Sequence, residues 1–407
     1  MIARLLKLGS DIRKFFIGIF GTFSCSDLER VFFILKQIGV LIVDDSIFMR
    51  KIITDILNQD AQIKILGEAK NGIDGVEKCM SLRPQVVTMD VQMPIMDGLQ
   101  ALEQIMLKRP TPVIVLSSVT TEGADETLKA FDLGAFDVLS KPPSRTDAKL
   151  QDFTRDLIER VKAAAVANRF QLAKKYFSSI SEHKLASGTS PSIHKKIEKN
   201  STYNEVNISK ALPKYPIELV LIGTSTGGPP ALQAVLTQLP YDFPVPIIVD
   251  QHMPSGFTAP LAQRFDSSCG LKVQEGADRD ILKAGNVYIA PAGKQTQVQR
   301  IAGRLALKIT TESPIETHYK PSLDVTLLSM AREVGKGVLG VVMTGMGTDG
   351  LLGIREIKAR GGFAIAESEE TCVVYGMPRA LIEAGLADRI IPLGDIARNI
   401  VECVQRR

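Results

Sequence analysis

The sequence predicts an α/β protein of two domains, an N-terminal five-stranded doubly wound sheet of the flavodoxin type and a C-terminal doubly wound parallel sheet. Short apolar runs alternate with amphipathic stretches from Val40 to about Lys141, and this alternation resumes at Ile217. Between them, Ser178 to Lys214 is rich in Ser, Lys and Asn, which predicts a flexible linker. A chain of 407 residues also exceeds one ordinary domain.

Composition excludes several classes of protein. Net charge is only +4 and no basic helix is interleaved with aromatic residues, so a nucleic-acid partner is not expected. The five cysteines form no CxxC pair, which favours reduced thiols of the cytosol over a disulfide scaffold or zinc site. The apolar run from Phe15 to Phe23 is far shorter than the roughly 20 residues of a membrane span. The sequence therefore predicts a cytoplasmic protein without stable membrane insertion.

These patterns divide the chain into four segments. Residues 1–36 are an extension of unclear status, which is interpreted as an amphipathic segment or as the product of a start codon assigned too far upstream. Basic residues ahead of the apolar run are also typical of a signal peptide, but no small-residue cleavage site is obvious. The first domain is predicted over residues 37–156, and a helical exit and linker over 157–213, with helical character from Gln151 to Phe177. The second domain is predicted over residues 214–407.

Polar residues follow the strands predicted for the first domain, namely Asp44 and Asp45, then Asp90, Ser117 and Lys141. The carboxyl ends of parallel strands share one edge of a sheet. Three carboxylates there repel one another unless they share a cation, and oxygen ligands suit Mg²⁺. Asp90 would accept a phosphoryl group, with Lys141 and the Ser117 hydroxyl on its oxygens. A helix N-cap explains Asp-Asp-Ser alone, but not all five residues.

A possible nucleophile lies in the second domain, where Gly223-Thr-Ser225-Thr-Gly227 separates strand-like LVLIG from helical PPAL. This matches the G-x-S-x-G pattern, whose glycines permit the sharp turn that exposes the serine. The following helix N-terminus favours developing negative charge. The other interpretation is a glycine-rich turn that binds phosphate or merely packs. The spacing fits neither a P-loop nor a dinucleotide fingerprint.

Histidine is scarce, which narrows the choice of a general base. Of four histidines, His183 and His194 lie in the predicted linker and His318 lies in a loop with no strand before it. His252 ends the strand-like IIVDQ at the same predicted edge as Ser225. His252 is therefore the predicted base.

The acid is expected in another glycine-rich turn at that edge. GVLGVVM leads into TGMGTDG, and Asp349 there could orient the imidazole. The backbone N–H groups of Met346 and Gly347 lie in the same turn and could contribute to an oxyanion hole. The chain order of an α/β-hydrolase would instead require His318 with an intervening acid, Asp250 or Asp278.

The first domain resembles the response-regulator receiver family through IVDDS at 42–46, MDVQMP at 89–94 and SKP at 140–142. The resemblance implies Asp90 as phosphoacceptor, Asp44 and Asp45 as Mg²⁺ ligands, Ser117 as switch hydroxyl and Lys141 as phosphate contact. Gln92 departs from the family, where many members carry an acid, but the pocket residues themselves match.

The second domain resembles the CheB family of chemotaxis methylesterases through IGTSTGGPPAL, QHMPSGFT, HYKPSLDV, MTGMGTDG and CVVYGMPRAL. The resemblance implies hydrolysis of glutamate methyl esters on chemoreceptors, and deamidation of receptor glutamines, by Ser225, His252 and Asp349 with the Met346 backbone as oxyanion donor. It implies no cofactor for the esterase step. It also implies the histidine kinase CheA as phosphodonor and an unphosphorylated receiver that covers Ser225.

Two other functions stay open on the sequence. One is a phosphorylation-controlled binding module in which the TSTGG turn holds an anion without catalysis. The other is an esterase of small molecules that ignores methylated receptors. Labelling of Ser225 by a fluorophosphonate would separate catalysis from binding.

Overall fold

The computed structural model of the chain describes residues 37–117, 128–142, 147–167 and 211–405. The extension at 1–36 and most of the predicted linker, with His183 and His194, lie outside the described residues. Among the described residues, no helix is both long enough and apolar enough to cross a bilayer.

The first domain is a parallel sheet whose strands alternate with helices. Its elements are β1 (Ile38–Val43), α1 (Ile47–Leu57), β2 (Ile63–Ala69), α2 (Gly72–Leu82), β3 (Val86–Asp90), α3 (Gly98–Lys108), β4 (Val113–Ser117), β5 (Asp137–Ser140) and α4 (Asp147–Val166). The strands lie in the order β2-β1-β3-β4-β5 and every pair is parallel. The order reverses between β1 and β3, so their carboxyl ends flank the crevice where such sheets bind ligands.

The second domain has a seven-stranded sheet in the order β14-β13-β12-β6-β7-β9-β8, again parallel throughout. Its elements are β6 (Leu219–Thr224), α5 (Gly228–Leu236), β7 (Ile247–Gln251), α6 (Thr258–Ser268), β8 (Lys272–Glu275), β9 (Asn286–Ile289), β10 (Gln295–Ile301), β11 (Arg304–Thr310), α7 (Leu323–Glu333), β12 (Val338–Val342), α8 (Leu351–Ala359), β13 (Phe363–Glu367), α9 (Met377–Glu383), β14 (Arg389–Ile391) and α10 (Leu393–Val404). The order reverses between β6 and β12. The predicted fold class is confirmed.

Two features depart from the sequence patterns. β10 and β11 form a separate antiparallel hairpin, which the sequence analysis did not identify because its half-buried strands lack a continuous apolar run. The predicted boundary at residue 156 falls inside α4, which continues to Val166. The domain limits stay a prediction.

Close packing brings the start of α7 to the active edge of the second sheet. A Cβ on Gly223, in β6, would lie 1.9 Å from Leu323 Cδ2. Only glycine permits that approach, because real Cβ contacts are never so short. The residues around Leu323 are thereby placed beside the turn that follows β6.

Candidate active site

The turn after β6 is fixed by hydrogen bonds to two neighbouring strands. Ser225 is 7% exposed, and its N–H donates to Thr344 O over 3.0 Å. Gln251, at the end of β7, donates to Ser225 O over 2.9 Å and accepts from the Thr224 hydroxyl over 2.5 Å. Gly227 has a φ of 76°, a left-handed conformation that lets the chain turn into α5. The predicted nucleophile therefore stands on a rigid turn.

His252 follows β7 and lies at the same sheet edge as Ser225, as predicted. Its backbone N–H donates to Thr224 O over 3.0 Å. Its ring Nε2 lies 2.8 Å from Asp349 Oδ2, so the predicted base and acid are hydrogen-bonded across 97 residues of sequence. Because a carboxylate only accepts, this bond assigns the proton to Nε2 and leaves a lone pair on Nδ1.

The Asp349 carboxylate is ionised by its surroundings. Burial alone would raise its pKa, but the hydrogen bond and charge of His252 and the backbone N–H groups of Asp324 and Leu323 outweigh burial and hold the pKa below its usual value. The Ser322 hydroxyl donates to Asp349 Oδ1 over 2.8 Å. Three of these donors lie at the start of α7, where the helix dipole favours negative charge. Asp349 can therefore stabilise an imidazolium.

Ser225 and His252 are not hydrogen-bonded to each other in this structure. His252 Nδ1 is buried and hydrogen-bonded to no group in the described ranges. Nucleophile–base bonds often form only when substrate binds. The structure thus brings all three residues to one edge, but bonds only the His252–Asp349 pair.

The turn after β12 lies directly against the nucleophile. A Cβ on Gly345 would lie 2.8 Å from Ser225 Cβ, so this position needs glycine. The Met346 N–H, one residue on, donates to no acceptor among the described residues. The Thr344 N–H is held by the buried Glu367 carboxylate, 2.8 Å away. The turn is therefore fixed, and its Met346 N–H is available to an oxyanion.

The alternative order of catalytic residues gains no support. His318 is exposed, and the exposed Asp278 accepts from the Ile309 N–H instead. Asp250 is fully buried, and neither carboxylate oxygen has a hydrogen-bond partner in the described part of the chain. Burial, with a further contribution from the charge of Asp349, raises the pKa of Asp250 to about 8. A neutral Asp250 cannot serve as the charged member of a triad.

The first domain brings all five predicted pocket residues together. Oxygens of Asp44, Asp45 and Asp90 lie within 4.8 Å of one another. Lys141 Nζ lies 2.7 Å from Asp90 Oδ2 and 2.8 Å from Asp44 Oδ2, and the Lys141 N–H donates to Ser117 O over 2.8 Å. Burial raises the pKa of Asp90, Lys141 opposes this and the other two carboxylates add to it. Such an oxygen-only set fits Mg²⁺.

The two domains touch beside the nucleophile. The hydroxyl of Thr226, which follows Ser225, donates to Asp137 Oδ2 over 2.5 Å, and Asp137 also pairs with Arg160 Nε at 3.0 Å. Arg264 of α6 donates to Leu128 O over 3.0 Å. It also forms an ion pair with the side chain of Asp132. The sequence analysis identified none of these contacts, because no local pattern pairs residues of different domains.

Comparison with known proteins identifies both domains. The family model described as CheB methylesterase matches residues 220–400, and the response regulator receiver domain matches residues 40–151. A protein-glutamate methylesterase/protein-glutamine glutaminase of Desulfitobacterium hafniense is 57% identical over 91% of this chain and 99% of its own. The chain belongs to the CheB methylesterase family. It is therefore a hydrolase joined to a response-regulator receiver domain.

Other relatives and solved structures are similar over the same regions. A protein of the same name from Moorella thermoacetica is 42% identical over 90% of this chain and 98% of its own. The CheB methylesterase catalytic domain of Thermotoga maritima is 40% identical and covers 46% of this chain and 99% of that chain, with a TM-score of 0.45. The response regulator domain of CheB from that organism is 41% identical over 32% of this chain and 98% of that chain, with a TM-score of 0.30.

Proposed function

We propose that this CheB-family protein is a phosphorylation-activated chemotaxis response regulator that hydrolyses glutamate methyl esters on chemoreceptors and deamidates receptor glutamines. The observation that carries the proposal is the hydrogen bond from His252 to Asp349 at the edge where Ser225 stands. The names of the relatives support both activities.

The reaction begins with attack of Ser225 Oγ on the ester carbonyl. The hydroxyl proton passes to His252 Nδ1, because Nε2 carries the proton that is donated to Asp349. The oxyanion of the tetrahedral intermediate accepts from the Met346 N–H, a contact typically worth about 2.7 to 4 kcal/mol. The imidazolium then protonates the departing methoxide, which leaves as methanol.

Water resolves the acyl-enzyme by the same route. His252 takes a proton from water, the resulting hydroxide attacks the acyl carbon, and Ser225 leaves with that proton. The products are the free glutamate carboxylate and regenerated enzyme. A glutamine amide passes through an equivalent intermediate and loses ammonia in place of methanol.

The receiver pocket is the proposed phosphorylation site. Receiver domains are phosphorylated in a Mg²⁺-dependent reaction, and here Asp44 and Asp45 would hold the ion beside Asp90, the phosphoacceptor. Lys141 would pair with the phosphoryl oxygens, and the Ser117 hydroxyl would bond one of them. The proposed phosphodonor is the chemotaxis histidine kinase CheA, and the proposed location is the cytoplasm, where such a kinase acts.

Phosphorylation would act on the contacts between the domains. Asp137 bonds to the residue after Ser225. Burial raises the pKa of Tyr319, and the negative charges of Glu159 and Asp156 in α4 add to this effect. The unphosphorylated receiver thus occupies the rim of the Ser225 site. An aspartyl phosphate at Asp90, the last residue of β3, adds up to about two negative charges. A bias of about 1.4 kcal/mol between the closed and open arrangements changes the activity tenfold.

The experiment measures methanol released from methylated receptor membranes, with and without acetyl phosphate. Ser225→Ala is expected to abolish release and labelling by a fluorophosphonate, whereas the exposed control Ser267→Ala keeps both. Asp90→Ala is expected to stay at the basal rate with acetyl phosphate. Wild-type release from the Ser225 variant, or labelling elsewhere, would remove Ser225 from the mechanism. Hydrolysis of generic esters without receptor methanol would favour a small-molecule esterase.

A further inference from the structure

We infer that Tyr319 is a positioning residue for the proposed reaction: its ring holds the face of the His252 imidazole and stabilises the imidazolium that forms on it. The two rings are stacked with centroids 4.3 Å apart and planes 5° from parallel. The hydrogen bond to Asp349 fixes only one edge of the imidazole and allows rotation about that bond. Contact with the ring face removes this freedom.

Tyr319 is itself held by the network that holds Asp349. Gln295 is fully buried; its side-chain N–H donates to Tyr319 O over 2.8 Å and its oxygen accepts from Ser322 N over 3.0 Å. The Ser322 hydroxyl in turn donates to Asp349 over 2.8 Å. Both partners of the His252 imidazole, one at its edge and one on its face, are therefore tied together through a single buried amide.

The stacked Tyr319 ring also stabilises the positively charged form of the His252 imidazole. A cation over an aromatic face is stabilised by the ring quadrupole, whereas a neutral ring gains less. Burial, with the charges of nearby carboxylates, raises the pKa of Tyr319, which keeps the phenol neutral. The charged groups that act on this pair are Asp349, which contacts the imidazole, and Glu159, Asp156 and Arg160 of α4 near the phenol. Asp250 and Asp324 lie near Asp349.

This inference rests on the proposed function, so the test separates the two. In the full chain, fluorophosphonate labelling of Ser225 is followed against pH, together with kcat and KM for methanol release. Tyr319→Leu is expected to lower the labelling rate and kcat by roughly 3- to 30-fold, with KM unchanged. The acidic limb of the pH profile of labelling should move to lower pH in Tyr319→Leu, because the imidazolium loses its contact with the aromatic face. Tyr319→Phe keeps the ring and should stay within about twofold of wild type.

Tyr215→Leu is the matched control, because that ring lies under the Lys336 ammonium, 4.3 Å away, rather than on the imidazole. This control variant should change neither the labelling rate, nor kcat, nor the acidic limb of the pH profile. Thermal unfolding verifies that each variant is folded, and Tyr319→Met replaces the Leu variant if that one unfolds. The inference would be overturned if the Phe and Leu variants lost the same amount of labelling rate and kcat. It would also be overturned if the Leu variant changed only KM, or if the acidic limb of its pH profile did not move. Absent labelling of Ser225 in wild type would overturn the proposed function with it.

Discussion

Thr226 donates a 2.5 Å hydrogen bond to Asp137, and this bond joins the two domains at the residue next to the proposed nucleophile. Asp137 is the first residue of β5, and its second partner, Arg160, belongs to α4. Lys141, which pairs with Asp90, comes directly after the same strand. One four-residue strand therefore carries a contact to the active edge at one end and a contact to the phosphoacceptor pocket at the other.

Asp137→Asn is expected to raise the basal rate of methanol release by about tenfold. A hydrogen bond to a charged group contributes about 1.5–3 kcal/mol, and each 1.4 kcal/mol of lost docking changes the open population tenfold. The measurement is release from methylated receptor membranes without a phosphodonor. Asp152→Asn, an exposed residue of α4 that pairs with Arg155, is the control and should keep the wild-type rate. Equal basal rates in the two variants would mean that this bond does not restrain the enzyme.

Gln251→Leu is expected to lower turnover at least tenfold and the free energy of unfolding by about 1–3 kcal/mol. The substitution leaves the buried Thr224 hydroxyl without its acceptor and removes one of the two donors to Ser225 O, whose other donor is the Gly228 N–H. The nucleophile turn thereby loses a tie to β7. Urea unfolding and methanol release are measured together. Gln299→Leu, which loses a bond to Leu307 O in the β10–β11 hairpin, should keep normal turnover. Normal turnover in the Gln251 variant would show that the turn is rigid without it.

Asp250→Asn is expected to remove part of the loss of stability that occurs as pH rises. The pKa of Asp250 rises from 3.8 to about 8 on folding, so the folded chain binds an extra proton within this range. The contribution of this proton to the free energy of unfolding is fully present below pH 3.8. It falls by about 1.4 kcal/mol per pH unit above that value and is lost once pH passes about 8.

Asparagine does not titrate, so the free energy of unfolding of Asp250→Asn should depend less steeply on pH between 5 and 7.5. Asp324, whose pKa is raised to about 6 chiefly by burial, acts in the same direction and is unchanged in both proteins. Urea unfolding at the two pH values gives the difference directly. Identical slopes for wild type and variant would show that Asp250 is ionised in the folded protein.

Millimolar Mg²⁺ is expected to raise the unfolding temperature of the receiver in the full chain. Three carboxylates within 4.8 Å repel one another, and an ion at 100 times its dissociation constant stabilises the folded state by about 2.7 kcal/mol. Asp45→Asn should abolish the response at little structural cost, because Asp45 is exposed. The control is Asp55→Asn, an exposed acid paired with Lys51, which should respond like wild type. A Mg²⁺ response that survives in the Asp45 variant would place the ion elsewhere.

Several site residues were accessible to sequence analysis because each directly follows a run of buried residues. β1, β3, β6, β7 and β12 are buried throughout, and such runs predict central parallel strands whose carboxyl ends share an edge. Asp44, Asp90, Ser225 and His252 therefore had predictable positions. The roles of Gln251, Glu367 and Tyr319 were not predictable, since each depends on which group of another element the side chain reaches.

The sequence by itself determined two parallel sheets and which polar residues stand at their active edges, because burial imposes an apolar run on a strand wherever that strand packs. Only the tertiary structure decided that His252 presents Nε2 to Asp349, that Tyr319 covers its ring and that Asp137 reaches Thr226. These contacts join residues of different elements, and two of them span 97 and 89 positions. Their geometry is fixed by how elements pack against each other, and hydrophobic periodicity reports only whether each element is buried.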